Sequence, residues 1–228
     1  ADYAHWLDRQ ELDRGNLRAA LAWTIECQNP ELAYALIIES NRFWRARGPV
    51  AEGIAWMEAV LELPAPSLSE RTEVLELIAD HAAMLGDVER AIARGKESTQ
   101  LARGLADPIR LVRALNASGR ARLMCNEPEE AVPLMEEAIE LSRANDLRAH
   151  LATDLSILGV AMRMLGDPLR AIALLEEGLA IATAENFAYN IGAISETLGD
   201  PVRQIGDLAR ARSLYREGLR LGLEHNEQ

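Results

Sequence analysis

Apolar residues recur every three or four positions along most of the chain, a spacing that predicts amphipathic helices with one buried face. The clearest stretch covers residues 150–187, where two helical patterns stand on either side of Gly166-Asp167-Pro168. The apolar positions are Leu151, Leu155, Leu158 and Met162 in the first pattern and Ile172, Leu175, Leu179 and Ala182 in the second. Glycine and proline interrupt helices, so this stretch predicts two antiparallel helices joined by a tight turn.

The turn between those helices has counterparts at a constant interval of about 40 residues. They are Gly86-Asp87, Asn126-Glu127, Gly166-Asp167 and Gly206-Asp207. The flanking helices agree at three positions that hold small residues, which are Ala79, Gly119, Gly159 and Gly199, then Ala91, Ala131, Ala171 and Ala211, then Ser98, Ala138, Gly178 and Gly218. Small residues at fixed positions let neighbouring helices approach closely. Repetition at this period predicts an all-α solenoid of stacked antiparallel helix hairpins.

Residues 1–66 fit the repeat less well and are predicted to form an amino-terminal helical subregion with a degenerate repeat. Helices are expected over residues 1–13, 16–28, 29–47 and 50–63, and Gly53, Met57 and Val60 hold the repeat positions of the last one. A short joint follows at residues 64–66, and Ser67 with Glu70 has the spacing of a capping box. Residues 67–228 then hold four repeats in one continuous solenoid, which gives about eleven helices in all.

Two features of the last repeat stand out. Pro201 lies inside its first helix, where proline removes a hydrogen bond and predicts a kink or a break. The final helix, over residues 208–223, has no following repeat in this sequence to cover its apolar face. A further segment or a second copy of the chain is therefore expected to cover it, which makes a homodimer through the carboxy-terminal helix one prediction.

The hairpins resemble tetratricopeptide repeats. The residues that carry the resemblance are Leu155, Leu158-Gly159, Met162, Ala171, Leu175 and Gly178. The repeat is longer than the usual unit of this family, at about 40 residues against about 34. The resemblance implies a right-handed superhelix, in which the first helices of the hairpins line a concave groove that binds a protein or a peptide.

The amino-terminal part is similar to a narrower group. The strings Trp6–Trp23 and Phe43–Leu61 resemble the segment that follows the ATPase module in large MalT-like and LuxR-like bacterial regulators. That resemblance implies a helical sensor segment of a multidomain transcriptional regulator or signalling protein, without catalytic residues of its own. Since the chain opens in the middle of a helical pattern, we expect it to be part of a longer protein.

The composition of the chain limits the kinds of partner that it is expected to bind. The formal net charge is −12 and the isoelectric point is about 4.9, so direct contact with nucleic acid or with an anionic membrane surface is not expected. The apolar runs are far shorter than the roughly 20 residues of a membrane span. Cys27 and Cys125 lie in helical patterns without metal-ligand spacing, which favours reduced thiols in a reducing compartment such as the cytoplasm.

No catalytic pattern is recognisable in the sequence. The single lysine, Lys96, stands in a helical pattern and belongs to no phosphate-binding loop. His5, His81, His150 and His225 share no ligand spacing, so no metal, no cofactor and no enzymatic activity are expected. All four tryptophans lie between Trp6 and Trp56, where they predict a core of large side chains or, as an alternative, a stacking pocket for a small effector.

The groove face offers the candidate binding residues. The stretch Arg110–Asn126 contains four arginines and no acid, which is unusual in so acidic a chain. The residues predicted to bind a carboxylate or phosphate of a partner are Arg113, Asn116, Arg120, Arg163 and Arg203. In the alternative, the second repeat pairs with acids one repeat earlier, as Glu70–Arg110, Glu73–Arg113 and Asp80–Arg120. The sequence leaves both interpretations open.

Three functions are compatible with these patterns. The first is a non-enzymatic module that binds a peptide, a protein segment or a small effector in the groove of a bacterial regulator. The second is a scaffold that associates with itself through its uncapped ends, and the third is a small-molecule-binding domain that uses the tryptophan-rich amino end.

Overall fold

The computed structural model describes residues 13–46 and 49–226, and within them every regular element is an α-helix. In chain order the helices are α1 (Arg14–Glu26), α2 (Pro30–Glu39), α3 (Asn41–Ala46), α4 (Val50–Leu61), α5 (Leu68–Met84), α6 (Val88–Arg103), α7 (Pro108–Met124), α8 (Pro128–Ala144), α9 (Arg148–Met164), α10 (Pro168–Ala184), α11 (Ala188–Gln204) and α12 (Leu208–Asn226). The prediction of an all-α fold of antiparallel hairpins is confirmed. The first predicted helix, at the amino end, falls outside the described residues.

The helices form two compact units that divide between Cys125 and Asn126. In the first unit, α6 packs against both α5 and α7, and α5 also contacts α7. In the second unit, α9 packs between α8 and α10, and α11 packs against α10 and α12. The joint at residues 64–66 lies inside the first unit, and the division of the chain into 1–66 and 67–228 stays a prediction.

The turn motif stops one helix and starts the next. The second residue after each of these first helices has a left-handed backbone, with φ of +73° at Gly86, +60° at Asn126, +83° at Gly166 and +91° at Gly206. Glycine adopts this conformation without steric cost. The side chains of Asp87, Asp167 and Asp207 then accept hydrogen bonds from the backbone N–H of Arg90, Arg170 and Arg210. The Gly-Asp pattern is thus a helix end followed directly by a helix cap.

Small residues at the repeated positions are buried at helix contacts. Ala91, Ala131 and Ala171 have no exposed surface, and Ala211 is almost fully buried. A Cβ atom at Gly159 would stand 2.7 Å from Cγ of Leu175, which is itself fully buried. In the degenerate repeat, a Cβ atom at Gly53 would lie 2.8 Å from Cβ of Trp44. Larger residues at these positions would force the helices apart.

The predicted helix over residues 29–47 is wrong in one respect, because Ser40 divides it into α2 and α3. The Ser40 hydroxyl donates to the Ile37 carbonyl and accepts from Nε1 of Trp44, at 3.4 Å and 3.0 Å. Serine competes with the backbone for such bonds, which favours a helix end. The division turns Phe43 and Trp44 into the core, where neither side chain is exposed.

Pro201 does not break its helix, so the predicted break is wrong, and the predicted kink stays a prediction. Helix α11 runs through it without interruption to Gln204. The proline lies in the last turn of the helix, so its missing N–H removes one hydrogen bond near an end that already leaves carbonyl groups unpaired. Its buried position shows that the ring is accommodated in the packing of this unit.

Ser67 caps α5 as the spacing predicts, and the Glu70 side chain contacts the Ser67 hydroxyl. Oγ of Ser67 accepts from the backbone N–H of Glu70 at 3.1 Å and donates to its carboxylate at 2.7 Å. We expect Ser67→Ala to lower the free energy of unfolding by about 1 kcal/mol, measured by urea denaturation. Ser67→Asp should retain most of the stability because its carboxylate can still cap α5. Equal losses in the two variants would contradict this role.

Candidate functional site

Helices α5 and α7 present facing rows of charged residues in the first unit. Residues three and four apart share one face of a helix, so each row runs along its helix axis. We call this surface the arginine–acid face, and it consists of Glu73, Glu76 and Asp80 on α5 and Arg110, Arg113, Asn116 and Arg120 on α7. Three of the five predicted binding residues therefore lie together on one surface.

The rows are joined by ion pairs. Arg113 donates to Glu73 at 2.8 Å, and Arg120 makes hydrogen bonds of 2.8 Å and 3.0 Å to the carboxylate of Asp80. Two of the three pairs predicted from the repeat offset are thereby confirmed. Both arginines stay accessible to solvent in these ion pairs, since the side chains of Arg113 and Arg120 are 40% and 41% exposed.

The third predicted pair, Glu70 with Arg110, is wrong. The carboxylate of Glu70 is held by Ser67 at the start of α5, which turns it back toward the helix cap. Arg110 instead donates to Glu73 at 3.1 Å and lies 3.6 Å from Glu76. The long arginine side chain reaches one helical turn further along α5 than the repeat offset indicates.

The centre of the arginine–acid face is buried and incompletely hydrogen-bonded. Glu76 is 4% exposed and Asn116 is 5% exposed. Four atoms have no hydrogen-bond partner among the described residues, which are Oε1 of Glu76, Nε and Nη1 of Arg110 and Oδ1 of Asn116. Buried polar groups are satisfied in the great majority of cases, so a cluster of four at one surface is unusual.

Burial also changes the charge of this centre. Loss of contact with water raises the pKa of Glu76 to about 8, and the opposing effect of Arg113 and Arg110 is smaller. Glu73 and Asp80, which lie one turn away on either side, raise the pKa further. At pH 7 the Glu76 carboxyl is therefore mostly protonated, and three arginines face two carboxylates.

The other two predicted residues lie in the second unit. Arg163 on α9 is half-buried, and Arg203 on α11 is exposed and 4.0 Å from Asp200. The corresponding first helices of this unit meet through a neutral contact, in which Asn190 donates to Oγ1 of Thr153 at 3.0 Å. Neither arginine takes part in the arginine–acid face.

The tryptophans in the described residues lie in different environments. Trp44 is fully buried and packs edge-on against Phe43, with ring centroids 5.1 Å apart. Trp56 donates to Glu52 at 3.2 Å, whereas Trp23 is exposed. Trp6 lies outside the described residues. Trp44 thus serves the core, as the simpler of the two interpretations predicts.

In the part of the chain that the structure describes, no group of three or more His, Cys, Asp or Glu could hold a metal ion. Cys27 and Cys125 form no disulfide within the described residues. Over the same residues, no helix combines the length and apolar character needed to cross a membrane.

Comparison with known sequences gives one partial likeness. No family model matches the chain. A putative HTH-type transcriptional regulator of Mycobacterium tuberculosis is 29% identical over 130 residues, and its counterpart in Mycobacterium bovis matches equally. The match takes in 52% of this chain but only 14% of the length of that regulator.

Solved structures resemble the chain over most of its length. A putative kinesin light chain of Podospora anserina with nearly identical TPR-like repeats has a TM-score of 0.65 at 18% identity, over 86% of this chain and 98% of that one. A signal-transduction ATPase with a tetratricopeptide repeat sensor, from Pyrococcus horikoshii, has a TM-score of 0.66 at 17% identity, over 94% and 35%.

The fold is that of a tetratricopeptide-like repeat protein. A Rap protein complexed with Competence and Sporulation Factor is also similar, with a TM-score of 0.74 at 16% identity over 85% of this chain and 55% of that one. Within the tetratricopeptide-like fold, α5 and α7 are the first helices of successive hairpins. The arginine–acid face therefore lies on the helices that the sequence assigned to the groove.

Sequence reasoning missed two members of this site. Neither Glu76 nor Arg110 is among the binding residues predicted from the sequence. Helical spacing predicts which side a residue faces and does not predict how deeply it is buried. The one available signal was the position of Glu76 one repeat before Asn116, which places two polar residues at the same point of adjacent repeats.

Proposed function

We propose that this chain is a non-enzymatic interaction module of a bacterial transcriptional regulator or signalling protein, and that it binds a peptide or protein segment on the arginine–acid face. The observation that carries the proposal is the group of four buried polar atoms without a hydrogen-bond partner among the described residues, on Glu76, Arg110 and Asn116. Each such atom costs about 1–3 kcal/mol when it is left unsatisfied. A polar ligand group that enters between α5 and α7 would recover part of that free energy.

Charge indicates what the ligand group is. With Glu76 mostly protonated at pH 7, three arginines face only Glu73 and Asp80, and the surface carries excess positive charge. The planar guanidinium groups of Arg113 and Arg120 are partly exposed and suited to bidentate contact with a carboxylate. We therefore infer that the bound segment presents an acidic side chain or a terminal carboxylate.

Similarity supports the regulatory setting. A putative transcriptional regulator matches half of this chain, and one protein of similar fold is a signal-transduction ATPase with a tetratricopeptide repeat sensor. Another, the Rap protein, is complexed with Competence and Sporulation Factor. Together with the resemblance of residues 6–23 and 43–61 to MalT-like and LuxR-like regulators, these likenesses favour a cytoplasmic sensor segment. Binding would favour one arrangement of the helices and bias the attached domains.

The test uses peptide capture. We expect the immobilised chain to enrich Asp-containing and Glu-containing peptides from a synthetic pool of random decapeptides, as quantified by mass spectrometry. The double variant Arg113→Glu/Arg120→Glu should lose this enrichment, because reversed charges repel the acidic group.

The matched control reverses two exposed arginines of the same unit, in Arg42→Glu/Arg45→Glu, and should capture peptides as the unaltered chain does. Because charge reversal beside Glu73 and Asp80 can also destabilise the fold, Arg113→Gln/Arg120→Gln provides a milder second variant. The two double variants of Arg113 and Arg120 could both lower the melting temperature and leave peptide capture unchanged. In that case these arginines act only as ion pairs between repeats, and the proposed function is wrong.

A further inference from the structure

A second surface, separate from the arginine–acid face, lies at α11 and α12. These helices border an open groove with a volume of about 330 Å³. Its lining includes three apolar residues and three arginines, which are Leu208, Ala211, Leu219, Arg203, Arg212 and Arg216. Leu208 and Leu219 are 66% and 65% exposed, which is unusual for leucines that share one helix face.

The same face of the preceding hairpin receives a helix. One repeat before Arg212 and Leu219, helix α10 carries Ile172 and Leu179. Ile172 is buried, and Leu179 packs against a cluster that includes Ile194 of α11. The face of α12 thus has the position of a packing surface, whereas the structure leaves its leucines exposed.

The charges on this face are reversed relative to the two preceding repeats. Glu136 of α8 forms an ion pair with Arg170 of α10 at 3.5 Å, and Glu176 of α10 forms one with Arg210 of α12. Arg216 is the next member of the series Glu136, Glu176, Arg216, in which each residue follows the one before by one repeat. Where α8 and α10 carry an acid that pairs with the following hairpin, α12 carries a base, and α6 also carries a base at this repeat position, Lys96.

Arg212 and Arg216 differ from the other polar residues of the groove. Neither forms an ion pair with any residue in the described ranges, whereas Arg203 and Tyr215 both contact Asp200. Arg212 also replaces the apolar Ile172 of the preceding repeat, so it interrupts the stripe that a further repeat of the same kind would cover.

We propose that the groove on α12 is a docking surface for an amphipathic α-helix of a partner protein, in which acidic residues flank an apolar stripe. Arg212 and Arg216 are four residues apart and project from the same side of α12, so a helix laid along the groove meets both with acids spaced by one turn. Leu208 and Leu219 contact its apolar stripe.

Charge argues against a second copy of the chain as the occupant. In a two-fold dimer the same surface is contributed by both subunits, so one interface would hold Arg212 and Arg216 of both copies and no carboxylate from the groove lining. Like charges brought together in this way oppose association. The homodimer predicted from the sequence is therefore the competing outcome of the test.

The test uses two fluorescein-labelled synthetic helical peptides of about 20 residues with an identical leucine stripe, one flanked by Glu and the other by Lys. In fluorescence anisotropy with the full chain, we expect saturable binding of the Glu peptide that weakens as salt is added. Arg212→Glu/Arg216→Glu should weaken that binding by about tenfold or more and improve binding of the Lys peptide.

Two variants act as controls. Arg42→Glu/Arg45→Glu changes the net charge equally in the other unit and should leave binding of the Glu peptide unchanged. Leu219→Ser keeps the arginines but removes an apolar contact, so it should weaken binding of both peptides. Circular dichroism should show equal helix content in all variants, since these side chains are exposed.

Three outcomes would overturn the proposal. The Glu and Lys peptides could bind equally, which would reduce the groove to a nonspecific apolar patch. Both peptides could fail to bind. Light scattering could show a dimer that Leu219→Ser dissociates, in which case a second copy covers α12.

Discussion

Gly159→Val is expected to lower the free energy of unfolding by about 3 kcal/mol, because the added side chain overlaps a buried neighbour. A Cβ atom at this position would stand 2.7 Å from Cγ and 3.2 Å from Cδ1 of Leu175. Leu175 is fully buried and belongs to the core of the second unit, so it has no free space into which it can move. Either α9 and α10 separate or Leu175 adopts a strained rotamer.

The matched control is Gly222→Val on α12. No atom lies within 4 Å of a Cβ built at Gly222, so the added side chain meets no neighbour among the described residues. Valine has a higher helix propensity than glycine, and the control should be neutral or slightly stabilising. Urea denaturation of both variants separates the two effects. Similar stabilities for Gly159→Val and Gly222→Val would mean that the close approach of α9 and α10 does not depend on glycine.

Glu76→Gln is expected to remove a pH-dependent loss of stability between pH 7 and pH 9. Burial raises the pKa of Glu76 to about 8 from its usual value of 4.5. In the unfolded chain the carboxyl is already ionised at pH 7, whereas the folded chain keeps its proton until the pH passes about 8. The free energy of unfolding therefore falls as the pH rises toward the folded pKa and is constant above it.

The expected loss for the unaltered chain is about 1 kcal/mol from pH 7 to pH 9, and Glu76→Gln should show none of it. The measurement starts above pH 6.5 because burial lowers the pKa of His81. In more acidic solution His81 lowers the free energy of unfolding as the pH falls, which is the opposite pH dependence to that of Glu76. Glu89→Gln, at an exposed position on α6, should leave the pH dependence as it is. If all three chains show the same slope, Glu76 is ionised in the folded state.

The Glu76 experiment also bears on the proposed function. Excess positive charge on the arginine–acid face depends on a protonated Glu76. An acidic peptide should therefore bind less tightly at pH 9 than at pH 7, in parallel with the loss of stability. The lining of the α12 groove includes no carboxyl group, so its peptide binding should not follow the same titration.

The repeat positions explain why much of the fold is predictable from the sequence. Gly-Asp turns at a fixed interval encode a helix end and a helix cap within two residues, and both depend on local backbone chemistry alone. Small residues such as Ala171 and Gly159 record where helices touch. The errors occur where packing overrides a local rule: Ser40 divides a helix so that Trp44 enters the core, and the buried Pro201 is accommodated within α11.

The candidate site was predicted only in outline. A constant offset between repeats places Glu73 opposite Arg113 and Asp80 opposite Arg120, and the contacts agree. The repeat offset predicts which backbone positions lie opposite each other, but it does not predict how far a side chain extends. Arg110 therefore pairs with Glu73 rather than with Glu70. The sequence placed Arg163 and Arg203 on the same inward-facing phase as the other candidates, but these two residues lie in the second unit and do not take part in the face.

The spacing of residues along one chain determines the helices, their turns and the faces on which charged residues lie. These features could therefore be predicted without a structure. The burial of Glu76 and Asn116 with unsatisfied polar atoms could not, nor could the lack of an ion-pair partner for Arg212 and Arg216 within the described residues. Burial and pairing depend on what the neighbouring helices supply, and that is set when the helices pack against one another.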